Sequence, residues 1–193
     1  MIMAWIAVFL LALVILAVGV AVQGVSLYNG LVQVKHQVDQ SWSNIDVLLK
    51  QRHDELPKLI DAVKGYMTHE RALLENVTAL RVQAKASNAG AQRLANEEAL
   101  SRGVSQLLAV AENYPQLRAS EVFLDLQTRI SALEEQIAHR REFYNAAVNI
   151  NNVRMEQFPD NLLASYVGLV SRPLFESKEA EREDVDVATR LDT

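Results

Sequence analysis

The sequence predicts an all-α protein in which an amino-terminal transmembrane helix is followed by an antiparallel bundle of about four long helices. Three observations support this fold class. The first 22 residues are apolar apart from one glycine, apolar side chains recur in steps of three and four along the body, and no stretch shows the alternation typical of a strand. We therefore divide the chain into an anchor (1–26), a helical bundle (27–175) and an acidic tail (176–193).

The composition excludes several classes of protein. The 193 residues include seven glycines, four prolines and no cysteine. Collagen-like and low-complexity chains are therefore excluded, as are disulfide frameworks, thiolate metal sites and cysteine nucleophiles. Hydrophobic residues make up 50% of the chain, but this average combines an apolar segment with a body of ordinary soluble composition.

Residues 1–22 have the length of a membrane-spanning helix. At about 1.5 Å per residue they extend about 33 Å, which covers a hydrocarbon core of about 30 Å. Trp5 and Tyr28 lie near the two ends, as expected for side chains of the interfacial aromatic belts. A cleavable signal peptide is the alternative, but it needs a basic amino-terminal region, and the first Lys or Arg is Lys35. We predict a retained, single-pass anchor in the lipid bilayer.

The basic residues nearest the anchor follow it and do not precede it. Lys35 is followed by Lys50 and Arg52, whereas no Lys or Arg precedes the apolar segment. The positive-inside rule therefore favours a cytoplasmic location for the body.

An apolar seam runs through the first half of the body. Alternating steps of four and three select 14 positions, of which 12 are apolar: Val38, Trp42, Ile45, Leu49, Arg52, Leu56, Leu59, Val63, Tyr66, Glu70, Leu73, Val77, Leu80 and Ala84. An unbroken helix from Leu27 to Ala84 would extend about 87 Å. Pro57 removes the hydrogen bond to the His53 carbonyl, so we expect a kink or a short break there, and Gly65 weakens the next turn.

Residues 85–91 read as the connection at the top of this first helix. A second helix follows over about 92–113 and ends at Tyr114-Pro115, because the residue before a proline disfavours helical backbone angles. Two arrangements remain open. Either a break at Pro57 separates a membrane-proximal stalk from a bundle helix, or the chain continues past Pro115 in the same direction and forms one long hairpin with the first helix.

The third helix begins after Ser120, which is a suitable N-cap residue. Its seam runs from Phe123 to Asn151 and is apolar at seven of nine positions. Phe158-Pro159 ends it, and Asp160 or Asn161 can cap a short fourth helix that extends to about Leu169.

The last 18 residues carry most of the net charge. Residues 176–193 hold seven acidic and three basic side chains, which is −4 of the −5 for the whole chain. The other 175 residues are almost neutral, with 16 basic and 17 acidic side chains, so we expect no basic surface for nucleic acid. The tail is expected to be a solvated acidic end, with docking of a partner as the alternative.

No pattern in the chain indicates catalysis. The four histidines (His36, His53, His69 and His139) are never three or four residues apart, so no helix face presents a pair of metal ligands. Glycine-rich phosphate loops and nucleophile elbows are also absent from the sequence. We therefore predict no metal, no cofactor and no enzymatic activity.

Some ionisable side chains could still belong to a site. We expect His53 to hydrogen-bond on the helix surface beside Pro57, with a catalytic or proton-sensing role as the alternative. The acidic pairs Glu97-Glu98 and Glu134-Glu135 are predicted to be exposed helix charges, because neighbouring positions on a helix do not converge on one substrate atom.

Polar residues on the apolar seams are the candidate residues for assembly or for the register between helices. They are Arg52, Glu70, Arg140 and Asn151, and we add Trp42, whose large ring is expected to pack within the seam. A charge buried without a partner is costly. These groups therefore either extend outward to water or form interhelical or intersubunit ion pairs that set the assembly.

Several sequence blocks resemble the LemA family of bacterial membrane proteins. In chain order they are Tyr28–Val32, Trp42–Leu49, Gln51–Pro57, Val63–Tyr66, Ala111–Pro115, Tyr144–Asn149 and Phe158–Ala164. The resemblance covers roughly residues 1–170. It implies an amino-terminal anchor in the bacterial plasma membrane, a bundle of antiparallel helices and a cytoplasmic body, and it brings no established biochemical activity. Glu55-Leu56-Pro57-Lys58 departs from the pattern of the family, which puts surface contacts in doubt and leaves the fold unaffected.

These observations favour a non-enzymatic, membrane-anchored helical scaffold that self-assembles as a homo-oligomer or organises partner proteins. The alternative is a signalling or stress-response adaptor that docks a partner protein through the bundle or the acidic tail. Membrane shaping is a third hypothesis, although the body has no basic amphipathic surface for lipid headgroups.

Overall fold

A computed structural model describes residues 1–88 and 90–175 and confirms the all-α class. The described residues form six helices: α1 (Ile2–Lys64), α2 (Arg71–Ala86), α3 (Ala91–Ala111), α4 (Pro115–Arg118), α5 (Glu121–Glu156) and α6 (Asn161–Val167). The predicted acidic tail, 176–193, lies outside the described residues.

One helix contains both the apolar amino-terminal segment and the first helix of the bundle. α1 has 63 residues, which corresponds to about 95 Å. Every residue from Met1 to Gln23 is exposed, and buried positions begin at Leu31. The mean hydropathy reaches 3.0 in its apolar part, which is the one segment of the described residues long and apolar enough to cross a membrane.

α1 and α5 form a long antiparallel pair. The Trp42 and Tyr144 rings lie 5.6 Å apart, and farther along α1 the Glu55 carboxylate lies 3.6 Å from the Arg129 guanidinium. Residue numbers thus rise along α1 as they fall along α5. The pairing leaves the amino-terminal end of α1 projecting alone from the bundle.

The hairpin of α2 and α3 packs mainly beside the end of α1 that is farther from the apolar segment, and only the start of α3 reaches back to Trp42. That end is therefore a four-helix bundle, whose core includes Leu56, Leu59, Val77, Leu107 and Ile130. α2 and α3 approach closely at Gly103, where an added Cβ would lie 3.0 Å from Leu80 Cδ1. We call the part of the α1–α5 pair that lies nearer the apolar segment the stalk. It consists mainly of α1 and α5, and its core includes Val38, Ile45, Leu49, Ile137 and Tyr144.

The predicted apolar seam from Val38 to Ala84 is divided between two helices. The chain reverses between Gly65 and Glu70, and the second part of the predicted seam belongs to α2. Met67 is buried in this turn and extends the core of the bundle over it. The connection predicted at 85–91 is the turn between α2 and α3, and it lies at the opposite end of the bundle from this reversal.

Of the kink or short break expected at Pro57, the break was wrong, because α1 continues through this residue. Pro57 has no N–H to donate to the His53 carbonyl. Arg81 of α2 supplies the missing donor, since its Nε lies 2.8 Å from the His53 oxygen. Leu56 and Leu59 on either side are fully buried, so packing also holds the helix together.

The ends of α5 and α6 follow the sequence in most details. The Ser120 side chain accepts a hydrogen bond from the Phe123 N–H, which confirms the predicted N-cap. Asp160 stands at the N-cap position of α6 but makes no side-chain capping bond. Its carboxylate pairs instead with Arg154 at 2.7 Å.

After α6 the chain returns along α5 as an extended segment over residues 169–175. Gly168 makes this reversal possible, because its φ of 73° is in the left-handed region that favours glycine. Asn145 and Asn152 of α5 each bind both the N–H and the carbonyl of one residue in the segment, Phe175 and Arg172 respectively. Seven helical residues and three extended residues both cover about 10 Å, so the two spacings match.

The contact between Arg81 and the His53 carbonyl predicts a coupled effect on stability. We expect Arg81→Met to lower the free energy of unfolding by about 1.5 kcal/mol, as for other hydrogen bonds from charged groups. In a Pro57→Ala background the loss should be smaller, because the new amide N–H can donate to the same carbonyl. Urea unfolding of the full chain in detergent, followed by Trp42 fluorescence, measures both. Lys85→Met, an exposed change on α2, is the control, and equal losses in the two backgrounds would contradict this account.

Candidate functional site

A cluster of ionisable side chains lies buried where α1, α3 and α5 meet. At its centre the Arg52 guanidinium is fully buried. It forms an ion pair with Glu97 of α3 and a second ion pair, at 2.9 Å, with Glu134 of α5. His53 adds a contact of 3.1 Å between its Nε2 and the second carboxylate oxygen of Glu97. One arginine thus joins three helices.

Ser101 connects this cluster to a second guanidinium. Its hydroxyl accepts hydrogen bonds from Arg52 and, at 3.2 Å, from Arg141. The same hydroxyl donates to Glu134 at 2.8 Å. Burial and the nearby Arg52 charge lower the pKa of Arg141, whereas the carboxylates of Glu134, Glu98 and Glu97 oppose this effect. The hydroxyl and the carboxylates therefore separate two like charges in the interior.

The cluster keeps Glu97 ionised. Burial alone would raise the pKa of its carboxyl group, but the hydrogen bond from His53 and the positive charges of Arg52 and His53 outweigh burial and lower it. A buried carboxylate with this many favourable partners is a structural anion. Its oxygens are occupied by protein donors, so this arrangement does not present a free general base.

Four expectations for these residues need correction: those for His53, Glu97, Glu98 and Glu134. His53 was expected on the helix surface but is buried, and Glu97 and Glu98 were expected to be exposed but are 1% and 7% exposed. The physical reason is that α3 packs against arginine-bearing faces of both α1 and α5. In the other acidic pair, Glu134 is part of the cluster and Glu135 is exposed, as predicted.

The sequence contained a signal for Glu97. It lies three residues after Leu94 and three before Leu100, both buried, so it occupies the apolar face of α3 just as Arg52 occupies that of α1. Two opposite charges on facing seams indicate a buried pair. Ser101 and Arg141 had no comparable signal, because their roles depend on the relative positions of α3 and α5.

Trp42 belongs to an aromatic cluster in the stalk. Its ring lies 5.6 Å from Tyr144 and stacks on Phe175 of the extended segment, with centroids 6.3 Å apart. Arg93 of α3 also lies over the Trp42 ring, with its Cζ 5.0 Å from the ring centroid. Arg141 is similarly placed over Phe175 at 4.8 Å. Trp42 thus packs internally, as the sequence suggested, and attaches the extended segment to the stalk.

Two more of the candidate assembly or register residues also make contacts within the chain. Asn151 is 3% exposed and donates to the Val170 carbonyl at 2.9 Å. The Glu70 carboxylate lies at the start of α2 and hydrogen-bonds Tyr114, which raises the pKa of the Tyr114 hydroxyl. These contacts join helices and loops of one chain, so a role in the register between helices is sufficient to explain both residues.

Arg140 differs from the other candidates because it is exposed. It borders a groove of about 290 Å³ between α1 and α5 on the stalk. We call this surface the open face; it is lined by Gln37, Gln40, Ser41, Asn44, Arg140, Phe143, Ala147 and Ile150. Phe143 and Ile150 are 52% and 47% exposed. Neutral polar side chains on α1 thus stand beside large apolar side chains on α5.

A larger groove of about 860 Å³ lies between the end of α1 and α2. Its apolar lining includes Ile60, Leu74 and Val82, and Asp61 and Arg71 stand among the charged residues on its border. Within residues 1–88 and 90–175, no three His, Asp or Glu side chains come close enough together to hold a metal ion.

Removing Arg52 should expose how strongly the cluster depends on it. We expect Arg52→Met to destabilise the fold by about 3–5 kcal/mol, because it leaves Glu97 buried without its main partner. Arg129→Met is the matched control, since Arg129 is half exposed and such surface pairs contribute about 1 kcal/mol or less. Chemical unfolding of the full chain in detergent measures both variants. A double variant that also carries Glu97→Met should be more stable than Arg52→Met alone, because no unpaired carboxylate is then buried. Equal losses of stability for Arg52→Met and Arg129→Met would contradict the central role of Arg52.

The lowered pKa of Glu97 predicts a loss of stability in acid. A carboxyl group whose pKa is lower in the folded state contributes stability above its unfolded pKa of about 4.3, and this contribution disappears as the pH falls through the folded pKa. The urea midpoint should therefore decrease as the pH falls below about 4.5. Glu97→Gln should reduce this dependence, whereas Glu135→Gln, an exposed change on α5, should leave it unchanged. An identical pH profile for Glu97→Gln and the unmodified chain would exclude this contribution.

Comparison with known proteins supports the resemblance found in the sequence. The LemA family profile matches residues 41–188. Protein LemA of Metamycoplasma hominis is 29% identical over 163 residues, which cover 83% of this chain and 74% of that protein. The magnetosome proteins MamQ 2 of Paramagnetospirillum magneticum and MamQ of Magnetospirillum gryphiswaldense are 23% and 21% identical, each over 79% of this chain and 66% of the relative. The apolar amino-terminal helix and these relatives together indicate that the protein is associated with a membrane. Because the family match covers most of the chain, the protein belongs to the LemA family.

Proposed function

We propose that this protein is a non-enzymatic, membrane-anchored scaffold whose copies assemble side by side through the open face of the stalk. Two features together carry the proposal. α1 runs without interruption from the apolar segment into the bundle, and an exposed apolar surface lies beside it on the stalk. The anchor confines the copies to the plane of the membrane. The open face then lies at the same distance from the membrane in every copy.

The continuity of α1 supports a rigid connection between membrane and body. The eight residues between Val22 and Leu31 are helical, so there is no flexible linker through which the stalk could reorient. Lateral contacts between neighbouring stalks would therefore occur in a fixed orientation, which favours a regular array or ring.

The composition of the open face supports contact with another protein surface. Phe143 and Ile150 offer apolar area, and Gln37, Gln40 and Asn44 offer neutral hydrogen-bonding groups. Arg140 is the one charged residue in the lining, and arginine and large aromatic residues are enriched at interfaces. Uncharged polar groups are cheaper to desolvate than charged ones, which suits a surface that becomes covered.

The absence of a catalytic role is part of this proposal. Glu97 and Arg141, whose pKa values are shifted, are held in a cluster by donors and acceptors from α1, α3 and α5. Tyr144, whose pKa is raised by burial, donates its hydroxyl to the Pro173 carbonyl. The two grooves expose mainly aliphatic and amide side chains, together with ordinary surface charges. We further propose a single pass through the bacterial plasma membrane with a cytoplasmic body, in agreement with Lys35, Lys50 and Arg52 following the anchor.

The groove between α1 and α2 supports an adaptor as the second candidate. It lies on the bundle at the far end from the apolar segment, where a partner protein could reach it, and it combines apolar side chains with charges of both signs. An amphipathic helix is the kind of ligand that such a groove accepts. The acidic tail, residues 176–193, most of which lies within the family match, is the other docking element that this hypothesis would use.

The mass of the particle tests the proposed scaffold. We expect the full chain in detergent to form a large, discrete particle by light scattering after size exclusion. Replacing Phe143 and Ile150 together with serine should shift this particle toward the monomer, because it removes the apolar area of the open face. The control replaces Val122 and Leu124 with serine; both are exposed on the same helix, at its other end.

The possible outcomes separate the two candidates. An unchanged mass for the Phe143 and Ile150 variant would reject the open face as the assembly surface. A monomeric unmodified chain would reject self-assembly altogether and favour the adaptor. In that case Val82→Ser in the second groove is the variant that should weaken binding of a partner.

A further inference from the structure

We propose that α6 is a second membrane contact, in which Phe158, Leu162 and Tyr166 insert into the lipid interface beside the point where α1 leaves the bilayer. This inference rests on the proposed anchoring of residues 1–22. It assigns a role to a surface that neither the buried cluster nor the open face uses, and the ligand is the lipid interface itself.

The first observation is an exposed apolar ridge. Phe158, Leu162 and Tyr166 are 74%, 61% and 83% exposed. They are four residues apart, so Leu162 and Tyr166 share one face of α6 and Phe158 precedes them at the same spacing. The opposite face of the helix is buried through Ala164 and Val167. α6 is therefore apolar on both faces, and only one of them is covered by the bundle.

The second observation is that the segment that forms the ridge exposes no charged side chain of its own; the nearest charges are Glu156, which precedes it, and the partly exposed Arg154. From Gln157 to Ser171 the only ionisable side chains are Asp160 and Tyr166. Asp160 is 4% exposed and is paired with Arg154. Aromatic side chains with a polar tip, such as tyrosine, favour the membrane interface. Insertion of this segment would consequently not require desolvation of a charge.

The third observation is the height of α6 along α1. The Arg154 guanidinium, which pairs with Asp160 at the start of α6, lies 3.9 Å from the Cβ position of Gly30. At the other end of α6, Lys35 Nζ donates to the Val167 carbonyl at 3.0 Å. Both ends are thus tied to the part of the bundle nearest the apolar segment. No side chain of α1 before Lys35 carries a charge, so Lys35 is the first charged residue of α1 beside α6.

These positions bring the ridge to the membrane surface. Gly30 is eight residues past Val22, or about 12 Å along the helix axis. The headgroup layer occupies about 5–7 Å on each side of the hydrocarbon core. A typical tilt of about 20°, acting on a neighbouring helix about 10 Å from the axis of α1, would lower α6 by about 3–4 Å. The remaining few ångströms are within the reach of the exposed Phe158 and Leu162 side chains.

The mode of binding differs from that of a basic amphipathic helix. Headgroup attraction requires exposed lysines or arginines, and this surface has none between Gln157 and Ser171. The contact would depend on apolar insertion and would act only near the anchor, which already holds the protein at the bilayer. Together α1 and α6 would make two contacts with one leaflet and fix the direction in which the stalk leans.

Site-directed spin labelling can test this contact in the full chain. Because the chain has no cysteine, Leu162→Cys and Tyr166→Cys each provide a unique labelling site, and Val122→Cys provides an exposed control at the distant end of α5. In vesicles of phosphatidylcholine and phosphatidylglycerol, we expect labels at 162 and 166 to collide more with oxygen than with a water-soluble nickel complex. The label at 122 should show the reverse preference.

Other outcomes would overturn the inference. Labels at 162 and 166 that are as accessible to the nickel complex as the label at 122 would place α6 in water. Labels shielded from both reagents would show that protein, such as a second copy, covers the ridge. A label at Leu10→Cys distinguishes the two levels of the argument. If that label contacts lipid while those at 162 and 166 do not, only the α6 contact fails; if it too is in water, the proposed anchor fails as well.

Discussion

The fold depends above all on neutralising one buried charge, that of Arg52. A guanidinium with no exposure to water is unfavourable unless carboxylates and hydrogen-bond acceptors surround it. Glu97 and Glu134 supply these groups from two different helices. Because both ion pairs exist only when α1, α3 and α5 are in register, sliding any one of them by a turn would leave a charge unpaired. The cluster therefore specifies the alignment that apolar seams alone would leave degenerate.

The other polar contacts in the stalk and at its base support the same alignment at intervals along α1. The aromatic cluster lies at Trp42, about 15 Å from Arg52 along the helix axis, and α6 is attached near Leu31, about 16 Å farther on. At each level a different kind of group makes the contact: an ion-paired cluster, stacked rings with arginines over them, and backbone carbonyls bound by side chains. α1 thus acts as a single rod to which the rest of the chain is fixed at three heights. Any force on its apolar segment is transmitted directly to the bundle.

The sequence predicted the helices well and their arrangement less well. Periodicity located α3 and α5 to within a few residues, and Ser120 correctly marked the start of α5. The errors concern features that depend on tertiary contacts. Pro57 suggested a break, but Arg81, which is 28 residues after His53 and lies on another helix, replaced the lost donor, and no local pattern reveals this. The true reversal at Gly65 lacked a strong turn signal, so the continuous seam of apolar residues concealed it.

The polar residues on the seams show why their position alone does not identify an assembly surface. Arg52 and Asn151 are buried and bound by groups of their own chain, so their place on the seams is explained without a partner subunit. Arg140, on the same kind of heptad position, is exposed because α3 and the extended segment cover the other side of the α1–α5 pair. Two helices alone cannot enclose a seam on all sides. The half of the stalk seam that faces away from α3 therefore stays open, and the lateral contact that we propose between copies would cover it while leaving the internal ion pairs intact.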